Sequence, residues 1–309
     1  MCKIRSEVQG YFWDRFCTNS KLLHNKVAVV TGANSGLGLA LSQLLIQRGA
    51  HVVMACRSKA RSEGPLKTVQ SAAKNGGSAE LMILDLASPQ SVESFAQEFQ
   101  EKGLKLNYLI CNAGIMGPSE NTVTENGIEL SFQANYLGHF QLVKLLNKQL
   151  QHQALEGEDT RVISVSSGAH FGGTIAWDDV NSVKSWTAYG QSKLAQVMHM
   201  KELQRRFEQA GCKPTNFRAV SLTPGAVRSN FLPMVYLLPL YPIVWFILRS
   251  ATTGAQVILH CILDDSIVGG AFYSNLYSKP ARGKNGIAND VKAQERLWNL
   301  SEDLLKKSQ

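Results

Sequence analysis

Val27-Ala28-Val29-Val30-Thr31-Gly32-Ala33-Asn34-Ser35-Gly36-Leu37-Gly38-Leu39-Ala40-Leu41 is the stretch on which the fold turns. A short β-branched run passes through three glycines into apolar residues at helical spacing, Leu39, Leu41, Leu44 and Leu45. Glycine allows a tight turn and close backbone approach. A helix that starts there presents unpaired N–H groups and the positive end of its dipole, which suits a diphosphate. The spacing differs from G-x-G-x-x-G, so the strand before and the helix after it supply the context that marks a dinucleotide site. The candidate contacts are Gly32, Asn34, Ser35, Gly36, Leu37 and Gly38.

Outward from this stretch the same rhythm repeats. HVVMAC, LMILD, LNYLIC and RVISVSS are β-branched or apolar runs separated by longer helical patterns. Strand and helix alternating in this way imply βαβ crossovers, hence a doubly wound α/β fold with a mostly parallel sheet covered by helices on both faces. The chain has 309 residues, 44% of them hydrophobic and 18% charged, a globular balance that argues against disorder and against a polytopic membrane protein. We expect one domain over residues 26–309, preceded by an N-terminal extension, residues 1–25. That extension carries Tyr11, Phe12, Trp13 and Phe16, which suit membrane contact, but Arg5, Glu7, Asp14 and Arg15 interrupt any signal-peptide or spanning stretch.

The net charge of +8 favours anionic partners. Nucleic acid is not expected among them, because basic residues such as Arg205 and Arg206 are scattered rather than clustered. Cys2, Cys17, Cys56, Cys111, Cys212 and Cys261 lack both C-x-x-C and zinc-finger spacing, which suggests a reducing compartment, with no disulfide and no metal site. His139 and His170 have no second ligand at a convincing spacing and are read as structural.

At the end of the second strand an acidic residue would suit a ribose 2′-hydroxyl, but this chain has Arg57-Ser58. A guanidinium fork suits a 2′-phosphate, which favours NADP(H); a solvated Arg57 at the strand end is the other reading. Asp85 and Leu86 follow the third strand, where they are placed to meet the adenine; Asp85 serves equally well as the N-cap of the next helix. After the fourth strand, Asn112, Ala113 and Gly114 are small enough to let backbone approach the middle of a dinucleotide.

Tyr189-Gly190-Gln191-Ser192-Lys193 opens a helical pattern. Four residues apart, Tyr189 and Lys193 share a helix face, where an ammonium stabilises phenolate and lowers a tyrosine pKa from its usual value near ~10. Alone, the pair is a common surface motif. With T-G-x-x-x-G-x-G, Cys111-Asn112-Ala113-Gly114, Asn135, Ser166-Ser167 and Pro224-Gly225 in this order, the chain resembles the short-chain dehydrogenase/reductase family across residues 26–275. Cys111 departs from the asparagine of many relatives.

The resemblance implies four catalytic residues. Tyr189 would donate a proton to a carbonyl and recover it in oxidation, and Lys193 would lower its pKa and hold the nicotinamide ribose. Ser167, preferred over Ser166, would hydrogen-bond the substrate oxygen, and Asn135 would order a water-linked proton relay. It also adds Pro224, Gly225, Val227 and Ser229 to the cofactor contacts, with Tyr189 and Lys193, and it raises the prospect of homodimers through helices near residues 124–150 and 188–210.

Details such as Asn135-Tyr136-Leu137-Gly138-His139-Phe140 and Arg57 look like the retinol-dehydrogenase-like branch, which handles lipophilic alcohols and carbonyls such as retinoids, steroids and lipid aldehydes. Residues 231–248 are almost wholly apolar and contain Pro233, Pro239 and Pro242, which favours a substrate lid or an interfacial element over a spanning helix. The expected lid is at about 226–250. Lys306-Lys307-Ser308-Gln309 resembles a dilysine retrieval signal, so the expected location is the cytoplasmic side of the endoplasmic reticulum or a lipid droplet, with the cytosol as alternative. The rival functions are a broad carbonyl reductase of soluble substrates and an NADP-binding scaffold without turnover.

Overall fold

A computed structural model describes residues 16–117, 122–227 and 248–307. Eight strands form one sheet in the order β3-β2-β1-β4-β5-β6-β7-β8. The strands are β1 Val27–Thr31, β2 His51–Cys56, β3 Ser78–Ile83, β4 Tyr108–Cys111, β5 Thr160–Val165, β6 Phe217–Thr223, β7 Phe272–Ser274 and β8 Tyr277–Lys279. All pairings through β6–β7 are parallel and β7–β8 is antiparallel. This is the doubly wound sheet expected from the sequence. The parallel strand β7 and its antiparallel hairpin partner β8, which forms the edge, extend it beyond the runs legible in the sequence.

The β1 register explains why the sheet must be covered on both faces. Ala28 and Val30 face one apolar cluster, shared with helices α1 Gly36–Ile46 and α6 Ala251–Leu263. Val27 and Val29 face the opposite cluster, with Phe95 and Phe99 of α3 Pro89–Glu101, Leu142 and Leu146 of α4 Gly138–Leu155, and Met200 and Leu203 of α5 Ser185–Gln209. Each fully buried side chain of this kind contributes roughly 1.5–3 kcal/mol, so a one-residue slip in register would forfeit much of both cores. Helix α2 Lys59–Ser71 joins β2 to β3.

Helix α7 Val291–Lys307 was not anticipated as a packing element. It lies across α4 and α5: the Trp298 ring meets Phe140 edge-on at 4.9 Å and stacks under the Arg206 guanidinium at 4.2 Å. Tyr136 and Ser301 share a 2.7 Å hydrogen bond, and Lys144 pairs with Glu302 at 3.2 Å.

Residues 16–25 lie against the core, with Leu23 buried and Asn19 Nδ2 donating to the Leu263 carbonyl. Far from the strands' carboxyl ends, buried Arg161 binds Asp159, Asp265, the Cys261 carbonyl in the last turn of α6 and the Asp264 carbonyl just after it, which closes that end of the sheet. The described cysteines, Cys17, Cys56, Cys111, Cys212 and Cys261, are free thiols. Among the described residues no helix is long and apolar enough to cross a membrane, and residues 228–247, which hold most of the expected lid, lie outside them. On either side of those residues, Val227 bridges Arg249 in parallel. Ser229 also falls outside the described residues.

Candidate active site

Strand order reverses between β1 and β4, and the crevice beyond their carboxyl ends is where an open parallel sheet binds ligands. The glycine loop sits at one wall of this crevice. Gly32 has φ +66° and donates its N–H to the Ala55 carbonyl at 2.8 Å. A Cβ at Gly38 would lie 2.4 Å from the Gly32 oxygen, so close packing admits only glycine. Ser35 is the N-cap of α1 yet makes no side-chain cap bond, and it is exposed with Asn34 half-buried beside it. The first-turn amides of α1 are thus not satisfied by a cap, which fits a diphosphate at this helix end. Leu37 and Val227 meet over Gly254 of α6, where a Cβ would be 2.7 Å from each, so Gly254 belongs to the wall although the sequence reading passed over it.

The neighbouring candidates divide into two groups. Asn112 and Ala113 both donate backbone N–H to Thr31 Oγ1 at 2.9 Å, and Asn112 Nδ2 donates to the Thr31 carbonyl at 2.8 Å, so they tie β4 to β1. Gly114 follows, half-buried, in the same loop. Arg57 is exposed just beyond β2, and its guanidinium bonds no described residue. Ser58 Oγ caps α2 by accepting from Arg61 N–H at 3.4 Å.

Asp85 is not the cap of α3. Ser88 holds that place, accepting from Ser91 N–H at 3.3 Å, because Pro89 opens the helix. Asp85 Oδ1 instead closes its own turn by accepting from Ala87 N–H at 3.0 Å. Leu86 is buried, and its carbonyl accepts from Gln133 Nε2 at 3.1 Å. At the far side, Gly225 takes φ +81° and the Pro224 carbonyl accepts from Arg249.

Tyr189, Lys193, Ser167 and Asn135 converge above this crevice. Tyr189 lies in the second turn of α5, which begins four residues before the point expected, and its phenol is set beside Ser167, whose hydroxyl works against the rise of its pKa. Ser167 opens a 3₁₀ turn, Gly168–Gly172, and accepts from Ala169 N–H at 3.2 Å. Ser166 Oγ donates to the Lys193 carbonyl at 2.8 Å, so its hydroxyl is committed to α5 and Ser167 is the serine that meets the phenol.

Asn135 sits in a π-helical turn, Gln133–Leu137, between a short helical turn and α4. Its side chain clamps Ile115, accepting from N–H at 2.7 Å and donating to the carbonyl at 2.8 Å, and it donates to Ser192 Oγ at 3.0 Å. The wider turn carries the helix close under the β3 loop, where a Cβ at Gly138 would be 2.4 Å from the Leu86 oxygen.

Electrostatics depart from the sequence argument. Burial pushes the Tyr189 phenol above its ordinary value, and the Ser167 hydroxyl only partly offsets this. Lys193 is itself 3% exposed, and burial pulls its ammonium down to about 7. Its Nζ donates to the Val165 carbonyl and to Gln196 Oε1, both at 3.0 Å, and lies 5.5 Å from the Tyr189 ring centre. The ammonium is thus near the ring while its hydrogen bonds run elsewhere.

His139 donates Nδ1–H to the Asn135 carbonyl at 2.9 Å, which leaves Nε2 to accept from the Thr31 hydroxyl at 2.9 Å. Burial lowers its pKa to about 4, so it is a neutral bridge between the glycine loop and the π turn. His170 donates Nδ1–H to the Ser167 carbonyl at 2.7 Å, fixing the 3₁₀ turn.

Residues 26–235 match the profile of short chain dehydrogenases. The chain belongs to the short-chain dehydrogenase family. Within the family it lies in the retinol-dehydrogenase-like branch. It is 34% identical to mouse retinol dehydrogenase 12 over 96% of this chain and 92% of that one. It is 36% identical to human retinol dehydrogenase 14 over 91% and 86%, respectively. A zebrafish polyprenol dehydrogenase is 33% identical, covering 90% and 86%. Among solved structures, an uncharacterised protein of Mycobacterium paratuberculosis superposes with a TM-score of 0.74 at 32% identity, over 95% of this chain and 98% of that one. As a member of this family the chain is an oxidoreductase that uses a nicotinamide cofactor, and its substrate is a small molecule.

Proposed function

We propose that this short-chain dehydrogenase interconverts an alcohol and a carbonyl on a lipophilic substrate such as a retinoid, steroid or lipid aldehyde, with NADP(H) as its cofactor. The observation that carries the reading is the Tyr189 phenol set beside Ser167, with Lys193 Nζ, one turn further along α5, 5.5 Å from the phenol ring centre. Tyr189 gives its phenolic proton to the substrate oxygen in reduction and takes it back in oxidation. Ser167 shares that oxygen and keeps it within reach of the phenol. Lys193, when protonated, places its positive charge 5.5 Å from the phenol ring centre. Bound at the crevice, the nicotinamide supplies or accepts the hydride.

The fit for that cofactor rests on this chain's own cradle: the uncapped start of α1, the Gly32–Gly38 contact that excludes side chains, and the β1–β4 loops tied through Thr31. Arg57, exposed and without a partner among the described residues, supports a 2′-phosphate and hence NADP(H). A lipophilic substrate is supported by the names of the relatives and by apolar surface beside the site. Trp186 is 60% exposed with its ring edge-on to Tyr189 at 5.9 Å, and Phe171 is also exposed. Burying such a substrate against these rings yields roughly 25 cal/mol per Å² of apolar area removed from water. The apolar residues 231–248 suit delivery from the cytoplasmic face of an intracellular membrane.

The test is a panel of retinoid, steroid and aliphatic carbonyls with NADPH and with NADH, run on the wild-type chain and on Tyr189→Phe. Wild-type turnover confined to lipophilic members, preferring NADPH, and lost in Tyr189→Phe with NADPH binding kept, is the expected result. Turnover of soluble carbonyls alone would favour a general reductase. NADPH binding with no turnover of any member would make the chain a cofactor-binding scaffold.

A further inference from the structure

One turn beyond Lys193 on α5, Gln196 is 1% exposed and carries two hydrogen bonds that cross between elements. Its Oε1 accepts from Lys193 Nζ at 3.0 Å, and its Nε2 donates to the Asn135 carbonyl at 2.8 Å. The amide has one workable orientation. Turned over, its NH2 would face an ammonium and its oxygen would face a carbonyl oxygen, two repulsive contacts in place of two hydrogen bonds. The Asn135 carbonyl also accepts from His139 Nδ1, so both of its lone pairs are engaged, and the link from Lys193 to the π turn runs through a side chain instead of solvent.

We propose that Gln196 is a positioning residue for the reaction, its locked amide holding the Lys193 ammonium beneath the Tyr189 ring and fastening α5 to the π turn of Asn135. This rests on the reading of Tyr189 as the proton-transferring group. Among the described residues the ammonium has two acceptors, the Val165 carbonyl and Gln196, and removing one leaves a buried charge with less to stabilise it. Tyr189 faces it from α5 and His139 from α4, with His199 behind His139. Both histidines are held neutral by burial, and the 3₁₀ turn adds His170, lowered in the same way. Among the described residues no carboxylate pairs with Lys193, so the neutral Gln196 oxygen is the only side-chain acceptor that its ammonium has there.

Gln196→Leu and Gln196→Glu separate this role from a structural one. Leucine removes the acceptor, so Lys193 loses its proton at lower pH. Glutamate is nearly isosteric and places a negative charge on the ammonium, so Lys193 holds its proton to higher pH. In full-length protein with NADPH and a carbonyl that the wild type reduces, the alkaline limb of kcat/KM should move down by about one pH unit in Gln196→Leu and up by about one in Gln196→Glu, a roughly tenfold change in rate on the limb. NADPH affinity, read from its fluorescence across the same pH range, should shift in the same two directions, because the charge of Lys193 acts on bound cofactor. Profiles that keep the wild-type pH dependence in both variants, whatever the drop in rate, would overturn the proposal. If the wild type turns over no carbonyl, the functional reading fails while the fluorescence titration still decides the role of Gln196.

Discussion

Replacing Lys193 with methionine isolates the cost of burying its charge. In the folded chain the ammonium is pulled from 10.5 down to about 7 by burial. A folded value below the unfolded one means that the unfolded chain holds more protons between the two. The stability of the wild type therefore rises with pH across that window; the cost is present in full below about 7 and is relieved above it. Methionine carries no such proton, so the wild type should gain on the variant by about 2 kcal/mol between pH 7 and 9, roughly 3 °C in Tm for a chain of this size. The absolute offset is less informative. Methionine removes the buried charge but leaves the Val165 carbonyl and Gln196 Oε1 without their donor, which costs about 1–3 kcal/mol for each and offsets much of the gain. Urea unfolding of both proteins at pH 6, 7, 8 and 9 reads the slope, with cofactor omitted because it binds only the folded chain. A stability difference that stays flat from pH 7 to 9 would refute the reasoning and give Lys193 an ordinary pKa.

Other expectations rest on separate features of the site. Gly38→Ala places a methyl 2.4 Å from the Gly32 oxygen and should weaken NADPH binding by about 100-fold or more and cost on the order of 1–3 kcal/mol of stability; calorimetry showing normal affinity would remove the tight loop from the cofactor site. Arg57→Asp should reverse the preference for NADPH over NADH, with a loss of about 10- to 100-fold for NADPH from one charge-assisted pair; unchanged selectivity in steady-state kinetics would leave Arg57 a solvated side chain. Deleting residues 231–248 should release the protein from membranes in cell fractionation, and unchanged association would assign the membrane contact to another segment.

How far the site was legible depended on how local each signal is. The glycine loop, the run of parallel strands and the Tyr189–Lys193 spacing are short patterns whose geometry follows from a turn, a pleat or a helix repeat. Ser167 and Asn135 needed the resemblance to a family, because nothing in their own neighbourhood points to Tyr189. The cap reading of Asp85, one of its two, missed by three residues, since Pro89 sets the helix start and Ser88 lies beside it. Gln196 and Gly254 were passed over for the same reason: an amide inside a helix and a glycine inside a helix carry no mark until their partners arrive. Strands β7 and β8, three residues each, are too short to show a period.

By itself, then, the sequence determined the doubly wound sheet, the place of the dinucleotide loop and the residue types available for proton transfer, because each is written within a few residues of chain. The tertiary structure decided what those groups experience. Burial raises Tyr189 and lowers Lys193, where spacing alone had the lysine bringing the tyrosine down. Gln196 reaches the Asn135 carbonyl from 61 residues away, and α7 closes over α4 and α5. Desolvation and hydrogen-bond partners depend on which distant segments come together, and that is a property of the packed chain alone.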